Sequence, residues 1–105
     1  MNWLLLLAAG ATEIMMAVAL KLSDGWTRTG PGAAGIALGL VSMVLLTFAM
    51  RGLPTGTAYA IWTGIGAVGT ALAGIVWFGD SASAPRLACL GAILCGMVGL
   101  KLLEK

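Results

Sequence analysis

One carboxylic acid lies inside an apolar segment near the start of the chain. Glu13 is the only charged residue between Trp3 and Leu20. Placing a charge inside a bilayer costs several kcal/mol, so a residue of this type at mid-membrane depth usually has a function. The carboxyl group there favours its protonated form, whereas a bound cation favours the ionised form. A site that holds either a proton or a cation couples their movements, which is the chemistry of an exchanger. The alternative is a protonated structural acid that joins helices by a hydrogen bond.

Two aromatic residues in a later apolar segment have the chemistry to accompany this acid. Tyr59 and Trp62 are three residues apart and therefore share one face of a helix. Thr55 and Thr63 lie one turn to either side of Tyr59. Aromatic faces attract desolvated cations, and phenol and indole groups donate hydrogen bonds to carboxylates. The alternative is that the aromatic pair packs against lipid or belongs to an interfacial belt.

Ser42 is a further polar residue at mid-membrane depth, on the helical face that also carries Gly35 and Gly39. A serine hydroxyl in such a helix bonds either to a polar group on a neighbouring helix or back to its own backbone. We therefore expect Ser42 to hydrogen-bond either to Glu13 or to the preceding turn of its own helix.

The glycines of residues 64–69 match the G-x-G-x-x-G pattern of dinucleotide-binding loops. That pattern needs a preceding strand and an aqueous crevice, and neither fits a long apolar segment. Glycine weakens a helix, so Gly64 and Gly66 instead predict a point at which this helix bends.

The composition places all of these residues in a membrane protein. The chain has 105 residues, 60% of them hydrophobic, and only ten are charged. A soluble domain of this size exposes most of its residues and cannot cover so much apolar surface. The formal charge of +2 is too small to indicate a nucleic-acid partner, and there is no basic run to bind one. The apolar segments hold no nucleophile–base pair and no metal-ligand cluster, so we predict neither an enzyme nor a cofactor nor a metal site.

Four segments are long enough to cross a bilayer. They predict an all-α membrane protein, in which residues 1–105 form a single four-transmembrane-helix bundle. Pro31 and Pro85 stand where the second and fourth helices begin, because proline fits the first turn of a helix. Cys89 and Cys95 point to different faces of the fourth helix and are expected to be small buried hydrophobes. The predicted spans are about 3–20, 33–50, 55–78 and 85–103.

The distribution of basic residues does not select one orientation in the membrane. With four spans both termini share a side, so the six basic residues divide equally between the two sides. The positive-inside rule then favours neither orientation, unless Lys101 counts incompletely because it lies in the last helical turn. The equal division suggests dual topology, in which copies insert both ways and pair antiparallel. One side carries Arg51, Lys101 and Lys105, and the other carries Lys21, Arg28 and Arg86.

Four short helices scarcely enclose a gated pathway, so we expect a dimer. The fourth span carries small residues on one stripe, and Ala92-x-x-x-Gly96 is a small-x-x-x-small pair of the type that joins membrane helices. Gly35-x-x-x-Gly39 forms a similar pair in the second span. The predicted dimer contact consists of Gly91, Ala92, Gly96 and Gly99.

Over its whole length the chain resembles the small multidrug resistance family of proton-coupled exporters. The matching features are the length, the lone acid in residues 10–13 (GATE) and residues 21–28 (KLSDGWTR). The most specific match is residues 53–66 (LPTGTAYAIWTGIG). The threonine after Trp62, residues 66–69 (GAVG) and residues 99–101 (GLK) resemble the guanidinium exporter subtype.

The resemblance implies that proton and substrate share Glu13, which both subunits of an antiparallel dimer contribute. It also implies that Gly10, Ser42, Tyr59 and Trp62 line the binding pocket. Lys101 matches a lysine of the subtype. The candidate substrate- and proton-binding residues are Glu13, Gly10, Ser42, Tyr59, Trp62, Met16 and Thr63.

One position departs from the subtype. Guanidinium exporters usually carry tryptophan where this chain has Met16, on the same helical face as Glu13. A rigid hydrogen-bond donor has become a flexible apolar side chain. We infer a less constrained pocket, made roomier by Gly39, that accepts substituted guanidinium ions or hydrophobic cations.

The sequence thus predicts a multi-pass protein of the bacterial inner membrane that exports guanidinium or substituted guanidinium ions in exchange for protons. Its partners are the small organic cation, protons, the lipid bilayer and a second copy of the chain. Three alternatives remain open. They are a promiscuous exporter of quaternary ammonium compounds and hydrophobic cations, one subunit of a heterodimeric transporter, and a non-transporting subunit in which Glu13 only joins helices.

Overall fold

Four α-helices make up the protein in a computed structural model that describes residues 2–103. They are α1 (Asn2–Leu22), α2 (Thr29–Ala49), α3 (Thr55–Trp77) and α4 (Ala84–Leu103). Each has the length and the apolar composition needed to cross a membrane. The described residues contain no strand. The predicted all-α architecture with four transmembrane helices is therefore confirmed.

The helix ends follow the proline and glycine positions, and the largest difference from the predicted spans is at the start of α2. α2 begins at Thr29, four residues before the predicted start. Pro31 lies within its first turn, where the missing amide hydrogen removes no intrahelical bond. α3 ends at Trp77, with Phe78 as its C-cap, and the next residue, Gly79, has a φ of +72°. A left-handed glycine at this position ends a helix at no steric cost.

The connection between α1 and α2 is a tight turn built on the buried Ser23. The Ser23 hydroxyl donates a 2.6 Å hydrogen bond to the Leu20 carbonyl and accepts one of 3.2 Å from the Trp26 amide. Asp24 and Trp26 both have positive φ, which is unusual for residues other than glycine. These hydrogen bonds hold the turn in that conformation and bring α2 back along α1.

The helices form a flat layer in the order α2, α1, α3, α4. α1 packs against both α2 and α3, which also touch each other over a short length, whereas the α4 backbone packs only against α3. The chain measures 44 × 34 × 16 Å along its principal axes. The largest buried apolar cluster lies where α1, α2 and α3 meet, and α4 has no buried residue. The cluster consists of Leu6, Ala9, Leu46, Ala49, Ala58 and Ile61.

Glycines bring α1 close to both of its neighbours. Gly10 faces Ile65 of α3, and Gly35 of α2 faces Leu20 of α1. A Cβ on Gly35 would lie 2.6 Å from Leu20 Cδ2, closer than such atoms approach in proteins. Small residues at membrane helix contacts permit this close approach.

The expectation that both cysteines are buried is wrong for this chain. Cys89 and Cys95 are free and exposed. The physical reason is the position of α4 at the edge of the layer, where only α3 covers it.

Candidate functional site

The Glu13 carboxyl group lies at the contact between α1 and α3. Its Oε1 atom is buried and has no hydrogen-bond partner among residues 2–103. The neighbour on α3 is Gly66, and a Cβ atom added to Gly66 would overlap Oε1. A charged oxygen that is buried without a partner is strongly disfavoured. The position therefore suits a protonated carboxylic acid or a carboxylate with a bound cation.

A hydrogen-bond chain crosses three helices one turn before Glu13. Trp62 Nε1 of α3 donates to Ser42 Oγ of α2 at 2.9 Å. Ser42 Oγ in turn donates to the Ala9 carbonyl of α1 at 2.6 Å. In a regular α-helix the Ala9 carbonyl also accepts the Glu13 amide hydrogen. These two hydrogen bonds therefore hold the α1 backbone at the turn that leads to Glu13.

The two predicted partners of Ser42 are both wrong in this structure. Ser42 is 1% exposed and bonds neither to the Glu13 carboxyl group nor to its own helix. The Ala9 carbonyl is nearer because α1 and α2 pack closely, and Ala9 itself is fully buried. Sequence reasoning missed this acceptor, since a backbone carbonyl leaves no mark in the residue type. The only indication in the sequence is indirect: Ala9 lies one helical turn before Glu13, so its carbonyl is on the same side of α1 as the acid.

The third-helix residues divide between two faces. Trp62 points inward to Ser42, and Gly66, one turn later, touches the acid. Tyr59 and Thr63 lie on the exposed face of α3, and Tyr59 is 53% exposed. The Tyr59 and Trp62 rings still contact each other, with centroids 5.4 Å apart and planes at 54°. A single copy therefore brings Trp62, but not Thr63, towards the interior.

Gly10 and Met16 occupy packing positions on α1. Gly10 is buried, and a Cβ there would overlap Ile65. Met16 covers Gly39 of α2, because its sulfur would lie 3.0 Å from a Cβ at that glycine. The space that Gly39 leaves is thus filled by the flexible methionine side chain. Pocket-lining roles for both α1 residues stay predictions.

The predicted bend in α3 also stays a prediction. α3 is continuous from Thr55 to Trp77 through both glycines. Each glycine has a packing neighbour: Gly64 faces Met97 of α4, and Gly66 faces Glu13 of α1. Sequence reasoning assigned these glycines to a bend and missed that one of them touches the acid.

The predicted dimer contact lies on open surface. Ala92 and Gly96 are exposed, and no atom lies within 4 Å of a Cβ built on Gly91, Gly96 or Gly99. This stripe is available to another helix, and its role in a dimer stays a prediction.

Lys101 of α4 contacts the side chain of Trp3 at the start of α1. Its Nζ lies 5.0 Å from the centroid of the Trp3 ring, in cation–π range. Both residues border an apolar cavity of about 170 Å³ that continues along Ile61, Ile65 and Met97. The lysine thus joins the end of α4 to the start of α1, although the two helix backbones do not pack together.

Comparisons with known proteins agree with the resemblance found in the sequence. A family model described as "Small Multidrug Resistance protein" matches residues 1–93. A protein named "Guanidinium exporter" from Proteus vulgaris is 55% identical over 102 residues, which cover 97% of this chain and 98% of the relative. Proteins of the same name from Citrobacter freundii and Salmonella typhimurium are 53% identical over 102 residues, covering 97% of both chains.

Proposed function

Because the chain belongs to the small multidrug resistance family, we propose that it exports guanidinium or substituted guanidinium ions in exchange for protons. It is a multi-pass membrane protein with four spanning helices. The relatives that carry the name guanidinium exporter are bacterial, which supports a place in the bacterial inner membrane. The exporter role of these relatives also supports a transporter rather than an enzyme.

The buried, unpartnered Oε1 of Glu13 is the observation that carries this proposal. A carboxylic acid in this position is either neutral or paired with a cation. A guanidinium ion is planar and offers parallel N–H donors that match both oxygens of one carboxylate. Binding of the cation therefore releases the proton, and return of the proton releases the cation. Exchange follows from competition for one group.

The Trp62–Ser42–Ala9 chain supports a positioning role around that group. The Trp62 indole and the Ser42 hydroxyl already satisfy each other. The acid is consequently left free of strong protein donors, which would otherwise stabilise its ionised form without substrate. Tyr59, which lies against Trp62, supplies an aromatic face beside the same helix.

The contact between Met16 and Gly39 bears on the range of substrates. A flexible thioether packs over Gly39 in place of a rigid aromatic donor. Its rotation opens or closes space on the α1–α2 side without breaking a hydrogen bond. We therefore expect alkyl-substituted guanidinium ions to be accepted along with guanidinium itself.

A second copy in antiparallel orientation completes the proposed transporter. The equal division of basic residues and the open small-residue stripe on α4 support this arrangement. The exposed Tyr59 and Thr63 would then face the partner across the pathway. A tag on one terminus should lie outside in some copies and inside in others. A membrane-impermeant probe added to intact cells should therefore label only part of the tagged copies. A tag on one side only contradicts dual topology.

Transport currents in liposomes test the proposed function. The purified chain is reconstituted alone, and guanidinium, an alkyl-guanidinium and a tetraalkylammonium ion are added in turn to wild type and Glu13→Gln. We expect currents for both guanidinium ions in the wild type and none in the variant, because glutamine can neither release a proton nor carry the charge.

The other outcomes separate the alternatives. Equal currents for the tetraalkylammonium ion would favour a promiscuous exporter of hydrophobic cations. If the folded wild type gives no current alone and co-reconstitution with a second subunit restores the current, the chain works as part of a heterodimer. If no cation moves and Glu13→Gln only lowers stability, the chain is a non-transporting subunit and the proposal is wrong.

A further inference from the structure

The contact between α1 and α3 is an alternation of glycines and side chains. Gly66 of α3 receives the tip of Glu13, and Gly69 one turn later receives the tip of Ile14. Gly66 and Gly69 are the same residue type on the same helix and face the same neighbour. They differ in what they receive, a carboxyl group in one case and a methyl group in the other.

We propose that Gly66 is a positioning residue of the exchange site, because the absence of its side chain provides the space in which the Glu13 carboxyl group rests. The proposal rests on the proposed function, in which that group binds proton and substrate in turn. This role of Gly66 is separate from the predicted bend in α3 and does not depend on it.

The nature of the overlapping atoms decides what an added methyl group would do. At Gly66 the overlapping atoms are Oε1 and Cδ of Glu13, the far end of a flexible side chain. Rotation of the side chain relieves the overlap without moving either backbone. The helix also gains from the exchange, since alanine is a better helix former than glycine. The Gly66→Ala protein should therefore fold, with the Glu13 carboxyl group turned away from α3.

A displaced carboxyl group should weaken substrate binding more than it slows turnover. Bidentate contact with a guanidinium ion requires both oxygens in one orientation. The acid remains able to release and take up a proton, so the maximum rate is less affected. We expect the guanidinium concentration for half-maximal transport to rise at least tenfold in Gly66→Ala, because small displacements of a binding group have large effects. The maximum rate should change less than threefold.

Gly69→Ala is the matched control. Its Cβ meets Ile14 Cδ1 and Cγ1, which are again side-chain tips in the same helix contact. The substitution disturbs α1–α3 packing equally but leaves the carboxyl group in place. We expect its half-maximal concentration to stay within threefold of wild type.

A second readout separates this proposal from the proposed function. Dicyclohexylcarbodiimide reacts with protonated carboxyl groups in apolar surroundings, and its attachment to Glu13 is measured by mass spectrometry without any substrate. We expect at least fivefold faster modification in Gly66→Ala, because the group turns out of the α1–α3 contact and becomes accessible to this apolar reagent, and less than a twofold change in Gly69→Ala. If wild type moves no guanidinium, the function fails while this readout still tests the position of the group.

A shorter acid provides the rescue. Glu13→Asp withdraws the carboxyl group by one methylene, so adding Gly66→Ala to Glu13→Asp should alter neither half-maximal concentration nor modification rate more than twofold. Gly66→Ala and Gly69→Ala behaving alike in both assays would overturn the proposal. So would a Gly66→Ala protein that fails to fold and that Glu13→Asp does not restore.

Discussion

Replacing Ser42 by alanine removes one hydroxyl group that links three helices. In the wild type this hydroxyl accepts from Trp62 Nε1 at 2.9 Å and donates to the Ala9 carbonyl at 2.6 Å. The Ala9 carbonyl keeps its intrahelical bond, so that side loses only about 0.6 kcal/mol, the average for hydrogen bonds between membrane helices. The part-buried indole N–H is left without an acceptor, which costs about 1–3 kcal/mol.

The sum predicts that Ser42→Ala lowers the free energy of unfolding by about 2 kcal/mol, or roughly 30-fold in the unfolding equilibrium. The assay is reversible unfolding in mixed micelles, followed by the helical circular dichroism signal. Thr47→Ala is the control, since Thr47 Oγ1 bonds only to Met43 of its own helix at 2.8 Å and is exposed. Thr47→Ala should change the free energy of unfolding by less than about 0.5 kcal/mol.

A double-mutant cycle with Trp62→Phe isolates the bond between the two side chains. Trp62→Phe removes the donor, so the unsatisfied N–H that penalises Ser42→Ala no longer exists in the double variant. We expect a coupling free energy of about 1–2 kcal/mol between the two positions. Additivity of the two single effects within about 0.5 kcal/mol would refute the hydrogen-bond chain.

Two further predictions concern helix contacts. Gly35→Ala should lower the free energy of unfolding by about 1–3 kcal/mol, because its Cβ would press on Leu20 near the α1 backbone. Gly96→Ala, which meets no atom within 4 Å, is the control in monomeric micelles, and equal losses would contradict the packing. Lys101→Met should lower the free energy of unfolding by about 0.5–2 kcal/mol and shift the fluorescence of Trp3 in a background without other tryptophans, through loss of the cation–π contact. Lys101→Arg should retain both properties, and an equal loss for the arginine variant would exclude the contact.

The positions of these groups explain how so small a protein can place an ionisable residue inside a membrane. The acid stands on the central helix of the layer, between α2 and α3. Ser42 and Trp62 fix its backbone from one side, and Gly66 gives its carboxyl group a space without a competing donor. In the proposed mechanism the acid is thereby held in place while a proton or a cation balances its charge.

The sequence by itself determined the number of helices and the place of the acid near the middle of the first one. Both depend on local properties, namely the length of each apolar run and the single charge within the first one. The resemblance carried by residues 53–66 also predicted the family, which the relatives confirm. Prolines located the helix starts, although α2 begins before Pro31 because a first turn tolerates proline anywhere.

Only the tertiary structure decided which groups meet. Periodicity assigned Ser42 to a face, but its partner proved to be the Ala9 carbonyl, and Gly66 proved to be the neighbour of Glu13. These pairs depend on how far each helix is rotated and shifted against the next. That rotation is set by many small contacts between distant segments, such as the fit of Leu20 to Gly35, and no single helix contains them.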